Sequence, residues 1–294
     1  MELLLQIING LSIGSIYALV SLGYTMVYGI AKLINFAHGD IIMIGAYTSL
    51  MMIPVFAKYN LPLWLTVVPA IILCVILGVL IERICYRPLR NSPRIANLIT
   101  AIGVSLLLQN VVMKIFGPDF KSYPKLFDFP PLVIGRVRLG INVIITILLT
   151  VILTILLQLF MQKTKYGKAM LATSENYEAS KLVGINIDST IMLTFAIGSG
   201  LAAVASILYV SSYPQVQPQM GSMLGIKAFV AAVLGGIGII PGAVLGGFIL
   251  GIAETLTRAY ISSQLADAIV FGILILVLLV KPTGILGKDL KEKV

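Results

Sequence analysis

Charge is scarce in this sequence of 294 residues, because Asp, Glu, Lys and Arg together make up only 11% of it. An ordinary soluble domain carries about 25%. The chain has one histidine, one tryptophan and two cysteines, whereas 59% of its residues are hydrophobic and its mean hydropathy is +1.02. So thin a charged shell cannot solvate a soluble protein of this length. The composition excludes a soluble enzyme, a disordered chain and a disulfide-stapled secreted domain, and it predicts an integral membrane protein.

Long runs without a charge divide the chain. A helix needs about 20 residues to cross a bilayer, and lipid forces backbone groups to bond within the segment. The alternation typical of membrane strands is missing from the sequence. We therefore expect an all-α polytopic membrane protein with about eight transmembrane helices, forming one domain over residues 1–294. The charge-free runs are 3–31, 41–57, 59–81, 95–113, 139–162, 189–226, 228–253 and 268–280.

Basic residues concentrate in three gaps between these runs, and the positive-inside rule predicts that the three gaps are cytoplasmic. The C-terminus is then cytoplasmic and the N-terminus outside. Segment 117–138 is also basic, but alternation with its neighbours places it outside, where its prolines predict a structured loop rather than a helix. The residues of the three gaps are Arg83, Arg87, Arg90 and Arg94; Lys163, Lys165, Lys168 and Lys181; and Lys281, Lys288, Lys291 and Lys293.

Region 223–262 contains a helix break. Gly235 and Gly236 begin a glycine-rich stretch that reaches Pro241, and such residues interrupt a helix and free backbone polar groups. Freed groups at membrane depth must be packed in protein or face a water-filled cavity. We expect either two short spans or a re-entrant pair here, in addition to seven uninterrupted crossings.

Few polar side chains accompany the spans, and each has two interpretations. Asn35, His38 and Asp40 lie near the start of the second run. They form either a proton relay or substrate contact, or a cytoplasmic turn whose Asp40 carboxylate complements a helix N-terminus. Glu254 either lines a polar path or forms an ion pair with Arg258, one helical turn away.

The gap 163–188 predicts a short helix tethered between two spans. Ser174 is suited to cap it, Glu175 and Glu178 fall in its first turn, and Gly184 stops it. Such an element suits docking into a groove on another protein. The alternative is a solvated or interfacial amphipathic loop helix.

The short motifs in the sequence do not indicate an enzyme. Gly10 to Gly14 match the G-x-S-x-G nucleophile elbow, but they fall inside an apolar helical run instead of a strand–turn–helix. Glycines spaced four apart favour close helix packing. The sequence contains no H-E-x-x-H and no phosphate-binding G-x-x-x-x-G-K-[ST] motif. The net charge of +9 lies in the gaps and predicts no nucleic-acid partner.

Three stretches together resemble one family. They are N-F-A-H-G-D at 35–40, the stretch with Glu178, Ala179, Ser180 and Gly184, and V-L-G-G-I-G-x-x-P-G-A-V-L-G-G at 233–247. From end to end the chain resembles the H-type permease subunit of bacterial branched-chain amino-acid ABC importers. The family's E-A-A-x-x-x-G signature appears here with Ser180 in place of the second alanine, and the I-x-L-P that follows it in many importers is missing.

This resemblance implies the partners and the place of the protein. A second, M-type permease, two cytoplasmic ABC ATPases and an external solute-binding protein would complete the importer in the bacterial inner membrane. The chain would bind no cofactor itself, ATP and Mg²⁺ being used by the ATPases. Glu175, Glu178, Ala179, Ser180 and Gly184 would form the ATPase-coupling element, and Asn35, His38, Asp40, Gly235, Gly236, Pro241 and Glu254 are candidates for the translocation path or gate.

Two alternatives stay open at this point. Relatives of the family carry urea or amides, and more distant ones carry sugars, so a related small solute is the first alternative. From another class, an ion-coupled secondary transporter would bind its solute at the broken helices and use Asp40 or Glu254 as the coupling acid. A channel would need a ring-forming selectivity motif, and we see none in the sequence.

Overall fold

The computed structural model describes residues 2–90, 92–126, 130–134 and 137–287, and within these ranges it is a helical bundle with two small sheets. Four basic residues of the segments considered for membrane orientation lie outside the described residues: Arg136, Lys288, Lys291 and Lys293. Short helical turns extend the third helix at both ends, over Leu63–Thr66, Glu82–Tyr86 and Arg87–Leu89. The α-helices are α1 (Glu2–Ala31), α2 (His38–Lys58), α3 (Val67–Ile81), α4 (Arg94–Phe116), α5 (Ile141–Lys163), α6 (Lys165–Glu175), α7 (Tyr177–Leu182), α8 (Ile187–Ser212), α9 (Met220–Gly235), α10 (Ile240–Tyr260) and α11 (Ala266–Val280).

Seven helical segments are long and apolar enough to cross a membrane: α1, α2, α3 with its flanking turns, α4, α5, α8 and α10. The prediction of an all-α polytopic membrane protein is therefore confirmed. The assignment of charge-free runs to membrane spans needs correction at the last run and in the broken region. The last run forms α11, which has only 15 residues, whereas α10 of the broken region is a full-length span.

The predicted run 189–226 is not one helix. It ends as α8 at Ser212, continues through a short strand, β4 (Gln215–Val216), and starts again as α9 at Met220. Pro214 and Pro218 lie in this interruption, where each lacks the N–H that a continuing helix requires. Because this stretch carries no charge, the charge pattern did not indicate that the helix is interrupted there.

Segment 117–138 forms no helix over its described residues, as predicted. Its strand β1 (Lys121–Ser122) pairs antiparallel with β4, while β2 (Leu132–Ile134) and β3 (Val137–Leu139) pair with each other. Tyr123 anchors the loop, because its buried hydroxyl lies 2.5 Å from Ser49 Oγ of α2. We call the end of the bundle that carries β1 and β4 the β4 end, and the end that carries α6 and α7 the α7 end.

Glycines bring α1 and α10 into backbone contact. A Cβ atom on Gly14 would lie 2.8 Å from both Gly247 O and Phe248 Cα, and one on Gly10 would lie 2.7 Å from Ile252 Cα. The two helices run antiparallel, since Gly29 near the end of α1 faces Gly238 in the turn just before α10. In lipid, such small-residue seams stabilise helix pairs by close van der Waals packing. The packing interpretation of these glycines is confirmed, and the Gly10–Gly14 stretch lies within helix α1.

We expect Gly14→Leu to disrupt this seam and lower the free energy of unfolding by about 1–3 kcal/mol, because the added side chain overpacks a backbone contact. Gly103→Leu is the matched control, since Gly103 is also inside a helix and a Cβ there would meet no atom of the described residues within 4 Å. Thermal unfolding in detergent measures both. Equal midpoints for the two variants would contradict the seam.

Candidate translocation and coupling sites

Helix α2 begins in the middle of the bundle. The His38 ring faces Gly23 of α1 and Gly198 of α8, for a Cβ on Gly198 would lie 3.7 Å from His38 Cε1. With about 1.5 Å of rise per residue, Gly23 lies about 12 Å along α1 from Ala31, and Gly198 lies about 16 Å along α8 from Ile187. The chain therefore turns back into the bundle after α1 before α2 starts.

The interpretation of this segment as a cytoplasmic turn needs correction. Asn35 and His38 are each 2% exposed and Asp40 is 1% exposed, so none of them belongs to a solvated surface. Asp40 does lie in the first turn of α2, as the helix-terminus argument requires. The sequence hid the depth of the turn because a six-residue connection reads the same whether it stays at the surface or enters the bundle.

Two helix N-termini meet at this depth. Gly39 in the first turn of α2 packs against Gly221 and Gly225 in the first turns of α9, and a Cβ on Gly225 would lie 2.8 Å from Gly39 Cα. The positive ends of two helix dipoles thus converge on one buried place. The carboxylate of Asp40 is the negative group that faces them.

Gln109 of α4 closes this polar cluster. Its Nε2 atom lies 2.9 Å from Asp40 Oδ1, 2.8 Å from Ser222 Oγ and 3.0 Å from Ser105 Oγ. The contact matters for α4, because most of its surface is exposed and apolar, as on a lipid-facing helix. Asn35 is held separately, since Tyr86 donates a 2.9 Å hydrogen bond to its Oδ1. Sequence reasoning missed Gln109, which lies in an apolar run with no motif around it.

Glu254 is the centre of a buried charge network. Its Oε1 lies 2.5 Å from Arg258 Nη2 and 2.7 Å from Lys227 Nζ, and its Oε2 accepts a 2.6 Å hydrogen bond from Tyr17. Lys227 also lies 2.6 Å from Asp267 Oδ1. The predicted pair of Glu254 with Arg258 is present. Lys227 and Tyr17 were missed, because they come from α9 and α1 and no local spacing links them to Glu254.

The remaining path candidates form the turn between α9 and α10. Gly235 ends α9, Gly236 has a positive φ of 109°, and Pro241 lies in the first turn of α10. The carbonyls freed at the end of α9 are satisfied by the segment after α11, because Ile285 N–H donates to Leu234 O at 2.8 Å and Leu286 N–H to Gly235 O at 3.0 Å. The break is therefore packed in protein at these two carbonyls.

The predicted coupling segment 163–188 forms two helices, α6 and α7, instead of one. Ser174 does not cap α7, since it lies in the last turn of α6 and donates to Leu171 O. The cap is Asn176, whose Oδ1 accepts from Ala179 N–H at 2.9 Å. Glu175 consequently ends α6 rather than starting α7. Both Asn and Ser are good N-caps, so the sequence does not distinguish them, and the prediction of Ser174 was wrong.

Helix α7 presents an exposed tip. Glu178, Ala179 and Gly184 are exposed, while Ser180 is buried at 3%. Gly184 has a positive φ of 82° and ends the helix, as predicted. Leu182 and Val183, at 88% and 75% exposure, form an uncovered apolar pair beside the Glu178–Lys181 ion pair.

Tyr177 connects α7 to the bundle. Its hydroxyl donates a 3.0 Å hydrogen bond to Ile30 O at the end of α1. Burial raises the pKa of the Tyr177 phenol, although the charge of Arg90 opposes the shift, so the group stays protonated and keeps donating. Asp188 at the start of α8 pairs with Arg87 and Arg90, and Arg90 also pairs with Glu82. The α7 end therefore ties α1, α3, α7 and α8 together.

These features define a class of protein: a polytopic helical membrane protein with buried polar groups at mid-bundle and an exposed short helix at one end. The family model for the permease component of branched-chain amino acid transport systems matches residues 6–279. The chain is 46% identical over 298 residues to the high-affinity branched-chain amino acid transport system permease protein LivH of Escherichia coli, covering 98% of this chain and 97% of that protein.

Other relatives extend the same likeness. The high-affinity permease protein BraD of Pseudomonas aeruginosa is 45% identical over 298 residues, covering 98% of this chain and 97% of the relative. A probable branched-chain amino acid transport permease protein of Methanocaldococcus jannaschii is 29% identical, covering 95% of this chain and 90% of the relative. The chain belongs to the family of branched-chain amino acid transport permeases, and the resemblance expected from its motifs is confirmed.

We expect Glu254→Gln to destabilise the protein by up to about 3–5 kcal/mol, because the buried Lys227 then keeps only the half-exposed Asp267 as its counter-charge. Glu178→Gln is the control, since its exposed ion pair is worth about 0–1 kcal/mol. Unfolding in a denaturing detergent measures both, and the double variant with Lys227→Met should recover part of the loss. A cost for Glu254→Gln no larger than that for Glu178→Gln would contradict the network.

Proposed function

We propose that this chain is the permease subunit of an ATP-driven importer that passes branched-chain amino acids across the bacterial inner membrane. The observation that supports this most directly is the near full-length match to permeases of that transport system. The exposed α7 supplies the second requirement, a contact through which another protein can move the bundle.

In this proposal α7 docks in a groove of a cytoplasmic ATPase. Leu182 and Val183 insert as the apolar anchor, and Glu178 and Lys181 form the charged rim around it. Movement of α7 passes through Tyr177 to the end of α1, and α1 is packed along α10 by its glycine seam. A rigid-body shift at the α7 end can then change the packing near Asp40 and Glu254.

The remaining partners follow from the same machine. A second, M-type permease would complete the membrane unit, two ATPases would bind ATP and Mg²⁺, and an external solute-binding protein would deliver the cargo. The α7 end carries Arg83, Arg87, Arg90 and several lysines, so the positive-inside rule makes it cytoplasmic. The β4 end then faces outward, and the C-terminus is cytoplasmic.

One observation favours the ion-coupled alternative. Asp40 has one carboxylate oxygen, Oδ2, that is buried without a hydrogen-bond partner among the described residues. Glu254 does not favour it, because its carboxylate is already matched by Lys227, Arg258 and Tyr17.

Purification of the tagged chain tests the proposal. We expect two ATPase subunits and a second permease to co-purify, and we expect leucine, isoleucine or valine with their binding protein to accelerate ATP hydrolysis. Stimulation by urea or an amide instead would assign a different solute. A stable preparation without any ATPase would contradict the importer.

We expect Glu178→Lys to leave the complex assembled but to lower the uptake per ATP hydrolysed by at least about tenfold, because it reverses a charge on the ATPase-facing rim, beside Lys181. Glu2→Lys is the control, as Glu2 is an exposed carboxylate at the other end of α1. Uptake and hydrolysis are measured in the same proteoliposomes. Normal coupling in Glu178→Lys would contradict the docking role.

A further inference from the structure

A pocket at the β4 end joins the Glu254 network to an apolar wall. Its volume is about 300 Å³, within the range of small-molecule sites, which starts at about 300 Å³. Lys227, Glu254, Arg258 and Asp267 supply its charged groups. Further polar groups come from Tyr17, Tyr209, Tyr213, Gln217 and Gln219. The apolar wall comes from Ile13, Ile16, Met220, Met223 and Leu224. We call it the charged pocket.

The positive and negative charges of the charged pocket are equal in number. Two cations face two carboxylates, and Lys227 lies between Glu254 and Asp267 at 2.7 and 2.6 Å. A ligand with a net charge would disturb the pairing of the buried Lys227 and Glu254, which is costly. A ligand with one positive and one negative group can instead exchange partners with the network so that every charge stays paired.

The inner and outer members of the network differ in exposure. Glu254 and Lys227 are 1% and 5% exposed, whereas Arg258 and Asp267 are 40% and 44% exposed. Arg258 and Asp267 therefore form the mouth, where an arriving solute first meets the pocket. The long axis of α1 separates this pocket from α7, since Tyr17 and Ile30 are about 20 Å apart along the helix.

We propose that the charged pocket is a transit site for a zwitterionic amino acid with an apolar side chain. Arg258 and Lys227 take the carboxylate, Asp267 and Glu254 take the ammonium group, and the wall around Met220 and Leu224 holds the side chain. This assignment rests on the proposed function and adds to it the site at which the permease itself binds the amino acid. The network is then a binding site as well as a contact among α1, α9, α10 and α11.

Photo-crosslinking tests the assignment in the complete importer reconstituted in nanodiscs. The probe is leucine with a diazirine in its side chain, and the labelled peptides are mapped by mass spectrometry. We expect label on peptides that contain Ile13 to Tyr17 or Met220 to Leu224. Excess leucine should remove it, whereas leucinamide, which lacks the carboxylate, and 4-methylvaleric acid, which lacks the ammonium group, should not at the same concentration.

Variants at the mouth provide the second readout. Asp267→Asn and Arg258→Gln leave the inner Lys227–Glu254 pair in place, and each should lower the label by at least about tenfold through loss of one charged contact. Asp119→Asn is the matched control, because Asp119 is an exposed carboxylate that does not line the pocket. Undiminished label in Asp267→Asn, or removal of label by both analogues, would overturn the site.

The two proposals fail differently. ATP-dependent import of the probe is measured first, and its absence would sink the proposed function and this inference together. Import with label elsewhere, for example in the cavity lined by Thr25, Gln158 and Pro241, would sink only the charged pocket as a transit site.

Discussion

Direct contact between helix backbones is the constraint on which the structure depends. Gly10 and Gly14 allow α1 to lie against α10, and Gly39 allows the first turn of α2 to lie against α9. Lipid offers no hydrophobic force that separates one apolar helix from another, so close packing has to select the partners. The Gly39 contact holds the mid-bundle start of α2, and a contact of Gly235 with Gly242 holds the turn before α10.

Once the backbones are fixed, the few buried polar groups have defined positions. Asp40 lies where two helix N-termini converge and contacts Gln109. Glu254 of α10 contacts Arg258 of its own helix, Lys227 of α9 and the Tyr17 hydroxyl of α1. Helix α1 contacts both ends of the proposed mechanism, because Tyr17 touches the charged pocket and Ile30 accepts from Tyr177 of α7. In the proposed importer, α1 would connect the movement of α7 to the candidate path residues.

Sequence reasoning predicted the fold class, the family, the non-helical loop at 117–138 and the glycine packing, because hydropathy, proline content and glycine spacing are local signals. It was wrong about features that depend on tertiary contacts. The run 189–226 hid a break because uncharged residues look alike in a helix and in a strand. His38 and Asp40 seemed peripheral because distance along the chain does not report depth. Lys227 and Gln109 were missed because their partners lie far away in sequence. The roles of the coupling and path residues remain predictions.

We propose that solute movement through this chain is driven by ATP hydrolysed on partner subunits. The most direct measurement is uptake of radiolabelled leucine into proteoliposomes under two conditions. In the first, the full complex and its binding protein are supplied with ATP and Mg²⁺ without any ion gradient. In the second, the chain alone is given a proton or sodium gradient without ATPases. The account predicts uptake only in the first condition. Uptake by the chain alone, driven by the gradient, would contradict it.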